Sequence, residues 1–115
     1  MKVSFEGIGQ WSATFACGDG VKAGQMVKIS GNGEVSGCAA GDGFCGMAGV
    51  VGRDGAACSV VLGGMVTAAC GGTMPALGWS SLSADGKGGI KADGAGQKYL
   101  VAAVDEAAKT VTFVL

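Results

Sequence analysis

Five of the six aspartates in this 115-residue chain stand directly before a glycine: Asp19, Asp42, Asp54, Asp85 and Asp93. Asn32 does the same before Gly33. Asp-Gly and Asn-Gly supply the positive-φ residues that tight hairpin turns require, so a chain punctuated in this way folds as short strands joined by turns. Carboxylates used as turn residues are also poor candidates for catalysis.

Between the turns lie strand-length runs: "KVSF", "WSATFAC", "MVKIS", "FCGMAGVV", "ACSVVL", "MVTAAC", "KYLVAAV" and "TVTFVL". In "WSATFAC" strict alternation puts Trp11, Ala13, Phe15 and Cys17 on one face. Runs of this length at intervals of about 8 to 12 residues with glycine turns are the pattern of an all-β sandwich or barrel. "VDEAAK", residues 104 to 109, has some helical character but is too short for a helix that stands alone, and reads as a turn.

The stretch "GDGFCG", residues 41 to 46, fits the glycine pattern of a dinucleotide-binding loop. Such a loop opens a helix and is followed by an acid about 20 residues on. Here glycines recur at 46, 49, 52 and 55, and residues 60 to 66 read "VVLGGMV", with no acid. The match is accidental; Asp42-Gly43 is expected to be a hairpin turn, with Gly46 and Gly49 in the strand that follows.

An internal repeat emerges when residues 23 to 62 are set above residues 77 to 115. Gly24 falls on Gly78, Asn32-Gly33 lies near Asp85-Gly86, Val35 matches Ile90, Gly41 matches Gly96, Phe44 matches Tyr99, and "ACSVVL" matches "TVTFVL". The expectation is a single all-β domain over 1 to 115, a small Gly-rich β-barrel or compact sandwich built from two similar β units, with 65 to 70 as a connecting strand. Residues 1 to 20 form an N-terminal strand or arm, either an edge strand or an arm that adds to a partner's sheet.

Composition narrows the function classes. There are 24 glycines, 15% charged residues and a net charge of -1, with one arginine, Arg53, and scattered lysines. No basic groove for nucleic acid can be built from these. Residues 55 to 84 carry no charge, but the most apolar part, "AACSVVLGGMVTAAC", is short and broken by Gly-Gly, so buried strands explain it better than a membrane span. The opening "MKVSFEGIGQWSATF" alternates polar and apolar residues and has no apolar signal-peptide core, which implies synthesis in a reducing cytosol.

No histidine is present, which removes the usual triads and the usual general base near neutral pH. The five cysteines, Cys17, Cys38, Cys45, Cys58 and Cys70, include no C-x-x-C pair. They read as small apolar core residues rather than as a disulfide framework or a metal site. The chain is therefore expected to have no catalytic residues, no cofactor and no metal.

The segments "VKAGQMVKISGNGEVSGCAAGDGFCGMAGVV", "SVVLGGMVTAA" and "LGWSSLSADGKGGI" resemble the small Gly/Ala-rich capsid-decoration, or head-stabilising, proteins of tailed bacteriophages and prophages. The shared plan is a strand after an "AG" turn, a variable hairpin, a strand ending in a "G-V" pair, then V-x-L-x-G-x-V, here approximated by "VVLGGMV". The resemblance covers roughly residues 21 to 104. It implies a β-rich fold, a non-enzymatic virion protein on the capsid surface, made in the bacterial cytoplasm, homotrimers at local three-fold sites, and the major capsid protein as partner. It makes Val3, Phe5, Ile8 and Trp11 the candidate capsid contacts, with no nucleic acid and no membrane.

Two alternatives come from other classes. A carbohydrate- or surface-binding β module of a fibre or adhesin would use Trp11, Trp79 and Tyr99 as a stacking platform, although Trp79 is expected in the core. A small enzyme would need a Ser-Lys pair or a cysteine with a depressed pKa.

Overall fold

The computed structural model describes residues 9–18, 20–53 and 55–115. Ten strands run in order: β1 (Trp11–Cys17), β2 (Met26–Gly31), β3 (Glu34–Gly37), β4 (Gly46–Val51), β5 (Ala57–Gly63), β6 (Met65–Ala69), β7 (Gly78–Ala84), β8 (Ile90–Ala92), β9 (Gln97–Asp105) and β10 (Thr110–Val114). No helix occurs among the described residues, and 106 to 109 form a turn. The uncharged run 55 to 84 is taken up by β5, β6 and β7. The fold is all-β, as the alternation and turn spacing predict.

The strands form two sets with one order. The first is a closed barrel, β1-β3-β2-β4-β5; the second is a five-stranded sheet, β6-β10-β9-β7-β8. Around the closed ring the first reads 1-5-4-2-3 and the second reads 6-10-9-7-8. Closure uses matching residues. In the first set β1 meets β3 in parallel at Cys17↔Val35, and in the second a single parallel bridge joins Cys70 to Ile90. The amide after each cysteine donates across the seam, Gly18 to the Val35 carbonyl at 2.8 Å and Gly71 to the Ile90 carbonyl at 2.9 Å. The strand unit is thus wider than the aligned segments 23–62 and 77–115: β1 and β6 are its opening strands, and β6 is more than a connector.

Two of the Asp-Gly turns do not make hairpins. Asn32-Gly33 does join the antiparallel pair β2–β3, with Gly33 at φ 71°. β3 and β4 are not neighbours, however, because β2 lies between them, so Asp42-Gly43 sits in a longer connection. There Asp42 accepts a hydrogen bond from the Ala39 amide at 2.9 Å and pairs with the Lys28 ammonium at 2.6 Å. Asp93-Gly94 likewise joins β8 to β9 across β7, and Asp93 accepts from the Ala95 amide at 3.0 Å and the Ser83 hydroxyl at 2.8 Å. Asp19 and Asp54 lie outside the described residues.

Each set encloses its own core. Val27, Val35, Ala48, Cys58 and Val60 fill the first, with Val21 beside them. The second holds Val66, Ala68, Leu82, Ile90, Tyr99, Val101, Val111 and Phe113, and is completed by Met26 and Phe44 from the first. The junction is further tied by the Met26 amide donating to the Gly88 carbonyl at 2.8 Å and the Gly41 amide to the Ala84 carbonyl at 2.9 Å.

Within the glycine pattern of residues 41 to 46, Gly46 has a packing cause. A Cβ at Gly46 would collide with the carbonyl oxygen of Val61 and press on the Val60 side chain, so β4 can approach β5 this closely only without a side chain there. Gly43 faces open space and keeps φ outside the left-handed region. Gly46→Ala is therefore expected to lower unfolding stability by about 2 kcal/mol through overpacking. Gly43→Ala should be neutral or stabilising by about 0.5 kcal/mol. Urea midpoints of the two variants check both.

Candidate functional site

Strand parity decides which large side chains are left outside. Tyr99, Val101, Val111 and Phe113 point inward and are buried. Their chain neighbours Leu100 and Val114 therefore point outward. Register then lines up one residue from each of four strands, since Met65 pairs with Val114, Val114 with Leu100 and Leu100 with Trp79. The result is an uncharged apolar row across the outer face of the second sheet, about 14 Å long at the usual strand spacing.

Trp79 is 71% exposed at one end of this row, and Leu77, just before β7, is 65% exposed. Beside Trp79 is a shallow groove of about 220 Å³ lined by Leu100, Val114 and Leu115 together with Gln97, Lys98 and Tyr99. The expectation that Trp79 belongs to the core fails. Leu82 and Ala84 are the inward residues of β7, and period two from Leu82 puts Trp79 on the opposite face.

Of the candidate contact residues, Val3, Phe5 and Ile8 lie outside the described residues. Trp11 is 60% exposed and opens β1, with its indole resting on Gly63, where any Cβ would overlap the ring. Next to it the Gln10 side-chain amide donates to the Met65 carbonyl at 2.5 Å. Trp11, Trp79 and Tyr99 do not form a shared platform. Tyr99 is a core ring, stacked on Phe44 at 5.0 Å and edge-on to Phe113 at 5.5 Å. The exposed Trp79 is the functional candidate that the sequence reading misplaced, and the parity of "WSSLSA" is the signal that locates it.

Three of the aspartates are occupied in turns. Besides Asp42 and Asp93, Asp85 accepts from the Lys87 and Gly89 amides, at 2.7 and 2.9 Å. The Lys28 hydrogen bond and then the Ala39 amide hold the Asp42 carboxyl below its ordinary value. The thiols move the other way. Burial pushes Cys38 and Cys58 up to about 11, and the Cys17 thiol, hydrogen-bonded to Cys58, adds to the second shift. Burial also raises Cys45 and Cys70. Thiols shifted this way stay protonated near neutral pH, opposite to what a nucleophile needs. Among the described residues no group of three His, Cys, Asp or Glu side chains is placed to hold a metal ion, and no helix is long and apolar enough to cross a membrane.

No protein-family model matches the chain. No curated protein matches its sequence either.

The thiol shifts give a pH dependence of stability with a definite sign. A thiol raised in the folded state is deprotonated first in the unfolded chain, so its contribution is intact below about 9, the ordinary value, and is lost as pH rises toward about 11. Urea midpoints should therefore decline between pH 9 and pH 11. In a Cys38→Ser, Cys58→Ala variant the decline should be shallower than in the parent, and an unchanged slope would refute the assignment.

Proposed function

We propose that this protein is a structural component that binds and stabilises an assembled protein shell, in the manner of the phage and prophage capsid-decoration proteins its sequence resembles. The observation that carries this reading is the uncharged row Met65–Val114–Leu100–Trp79, with Trp79 and Leu77 exposed beside it. A protein with so few charges that leaves this much apolar surface in register across four strands has a surface suited to another macromolecule.

Passive clamping needs buried area and slow release rather than transition-state stabilisation, so it asks for no tuned acid, base or nucleophile. The raised thiols and the turn-bound aspartates are in keeping with that requirement. Three copies seated at a three-fold site of the major capsid protein would gain from linked contacts, each of which can be weak. The carbohydrate platform is less well supported, because one of its three rings, Tyr99, is buried.

The test is co-sedimentation with empty shells assembled from the coat protein encoded nearest to the gene, in compact and expanded forms. Saturable binding to expanded shells near three copies per three-fold site is expected. Trp79→Ala should weaken it by about 30-fold, the usual effect of truncating an aromatic hot spot, without loss of fold. Removing residues 1 to 8, which leaves β1 whole, measures the share of Val3, Phe5 and Ile8. Absence of binding to either shell form would refute the reading.

A further inference from the structure

Among the described residues, the first half of β1 is an open strand edge. On one side β1 pairs with β5 from Trp11 to Ala16, whereas on the other β3 reaches only Ala16 and Cys17. The Cys17 amide donates to the Ala56 carbonyl on the β5 side, and the Ala16 amide donates to the Gly33 carbonyl on the β3 side. Alternation along the strand then directs the N–H and C=O groups of Ser12 and Thr14 to the open edge.

Native sheets protect such edges with lysine, proline, charge or a covering loop. "WSATF" offers no charge and no proline, and Trp11 to Thr14 are all exposed. The corresponding strand β6 is better covered. Its Met65 carbonyl is taken by the Gln10 amide, and Gly89 stands so close to the Ala69 carbonyl that a Cβ there would collide with it. Among the described residues, Thr67 is left between them.

We infer that the occupant of the β1 edge is β1 of a second copy, paired antiparallel about a two-fold axis through Ala13. The hydrogen-bond pattern is self-complementary in this register. Ser12 lies opposite the partner's Thr14 as a doubly hydrogen-bonded pair, Thr14 lies opposite the partner's Ser12, and all the outward amides and carbonyls are met. Ala13 faces its own symmetry mate across the close, non-hydrogen-bonded position, where a small side chain is tolerated. Trp11 comes beside the partner's Phe15, an aromatic cross-strand pair.

The lengths also agree. Among the described residues the edge is open from Trp11 to Phe15 because β3 begins its pairing at Ala16, and the incoming strand begins at Trp11, the first residue of β1, two residues after Gly9 at φ 67°. Trp11, 60% exposed, brings on the order of 150 Å² per copy into the contact. With one short strand pair added, the total stays below the roughly 1,200 Å² of a standard stable interface. The contact is therefore a weak, concentration-dependent dimer. It does not depend on the shell-binding reading, whose three-fold seating it neither requires nor supplies.

Sedimentation velocity over a concentration series tests it without any shell. The parent should show a monomer–dimer equilibrium. Ala13→Lys and Ala13→Glu should each raise the dissociation constant at least tenfold, because like charges then face each other at the axis. An equimolar mixture of the two should return to within about threefold of the parent, because opposite charges then meet. Thr14→Pro, which removes an outward amide and spares the β5 ladder, should weaken the dimer with an unchanged circular dichroism spectrum. A parent that is monomeric throughout, or a dimer that ignores the Ala13 charge pair, overturns the inference. So does a dimer that disappears when residues 1 to 8 are removed, since the pairing segment would then be that one.

Discussion

The ring of Phe44 holds the two strand sets together. It comes from the connection between β3 and β4, yet it lies in the core of the second set, 5.0 Å from the Tyr99 ring and 5.9 Å from the Phe113 ring. A buried aromatic of this kind removes roughly 150 to 250 Å² from water, more than any other single side chain can. The second set does not close its core alone, since Met26 and Phe44 of the first complete it. The outer surface follows from the same contact. With Tyr99 and Phe113 fixed inward, period two leaves Leu100 and Val114 on the other side of β9 and β10, where β6 and β7 add Met65 and Trp79.

The surface chemistry is correspondingly plain. Asp42, Asp85 and Asp93 accept backbone amides in their own turns, and burial raises the pKa of four thiols. The features that stand out beside these are an apolar row and a stretch of strand edge. For the binding proposed above, such features supply exclusion of water and main-chain hydrogen bonds, which put specificity in register and contour.

Much of this was legible in the sequence. Strands β2, β5, β6 and β10 follow their apolar and β-branched runs, because alternate residues must meet a core, and Asn32-Gly33 marks a true hairpin. Asp42-Gly43 and Asp93-Gly94 look the same locally but do not make hairpins, because β2 and β7 insert between the strands these turns join. That choice rests on pairings distant in the chain, which no dipeptide reports. The spacing of glycines and apolar residues marks the repeat from Gly24 onward, whereas its opening strand is marked only by a short match, "TFACG" at Thr14 and "TAACG" at Thr67, which differ at one residue. The bulk of Trp79 suggests the core, but its parity against Leu82 puts it on the outer face.

The two sets share one strand order but differ at their first strand, and the difference has a physical origin. In both sets the far end of the first strand is closed, by Glu34 and Val35 against Ala16 and Cys17 and by Gly89 and Ile90 against Ala69 and Cys70, but Gln10 reaches across from the first set to satisfy Met65 in the second. No described residue does the same for Ser12, which stands in the corresponding place. The segment that caps one edge is the chain leading into the other, so Gln10 can protect β6 only by ending β1 at Trp11. An edge left open by that arrangement is short, uncharged and bounded at both ends, which are the conditions under which a strand pairs in one register instead of many.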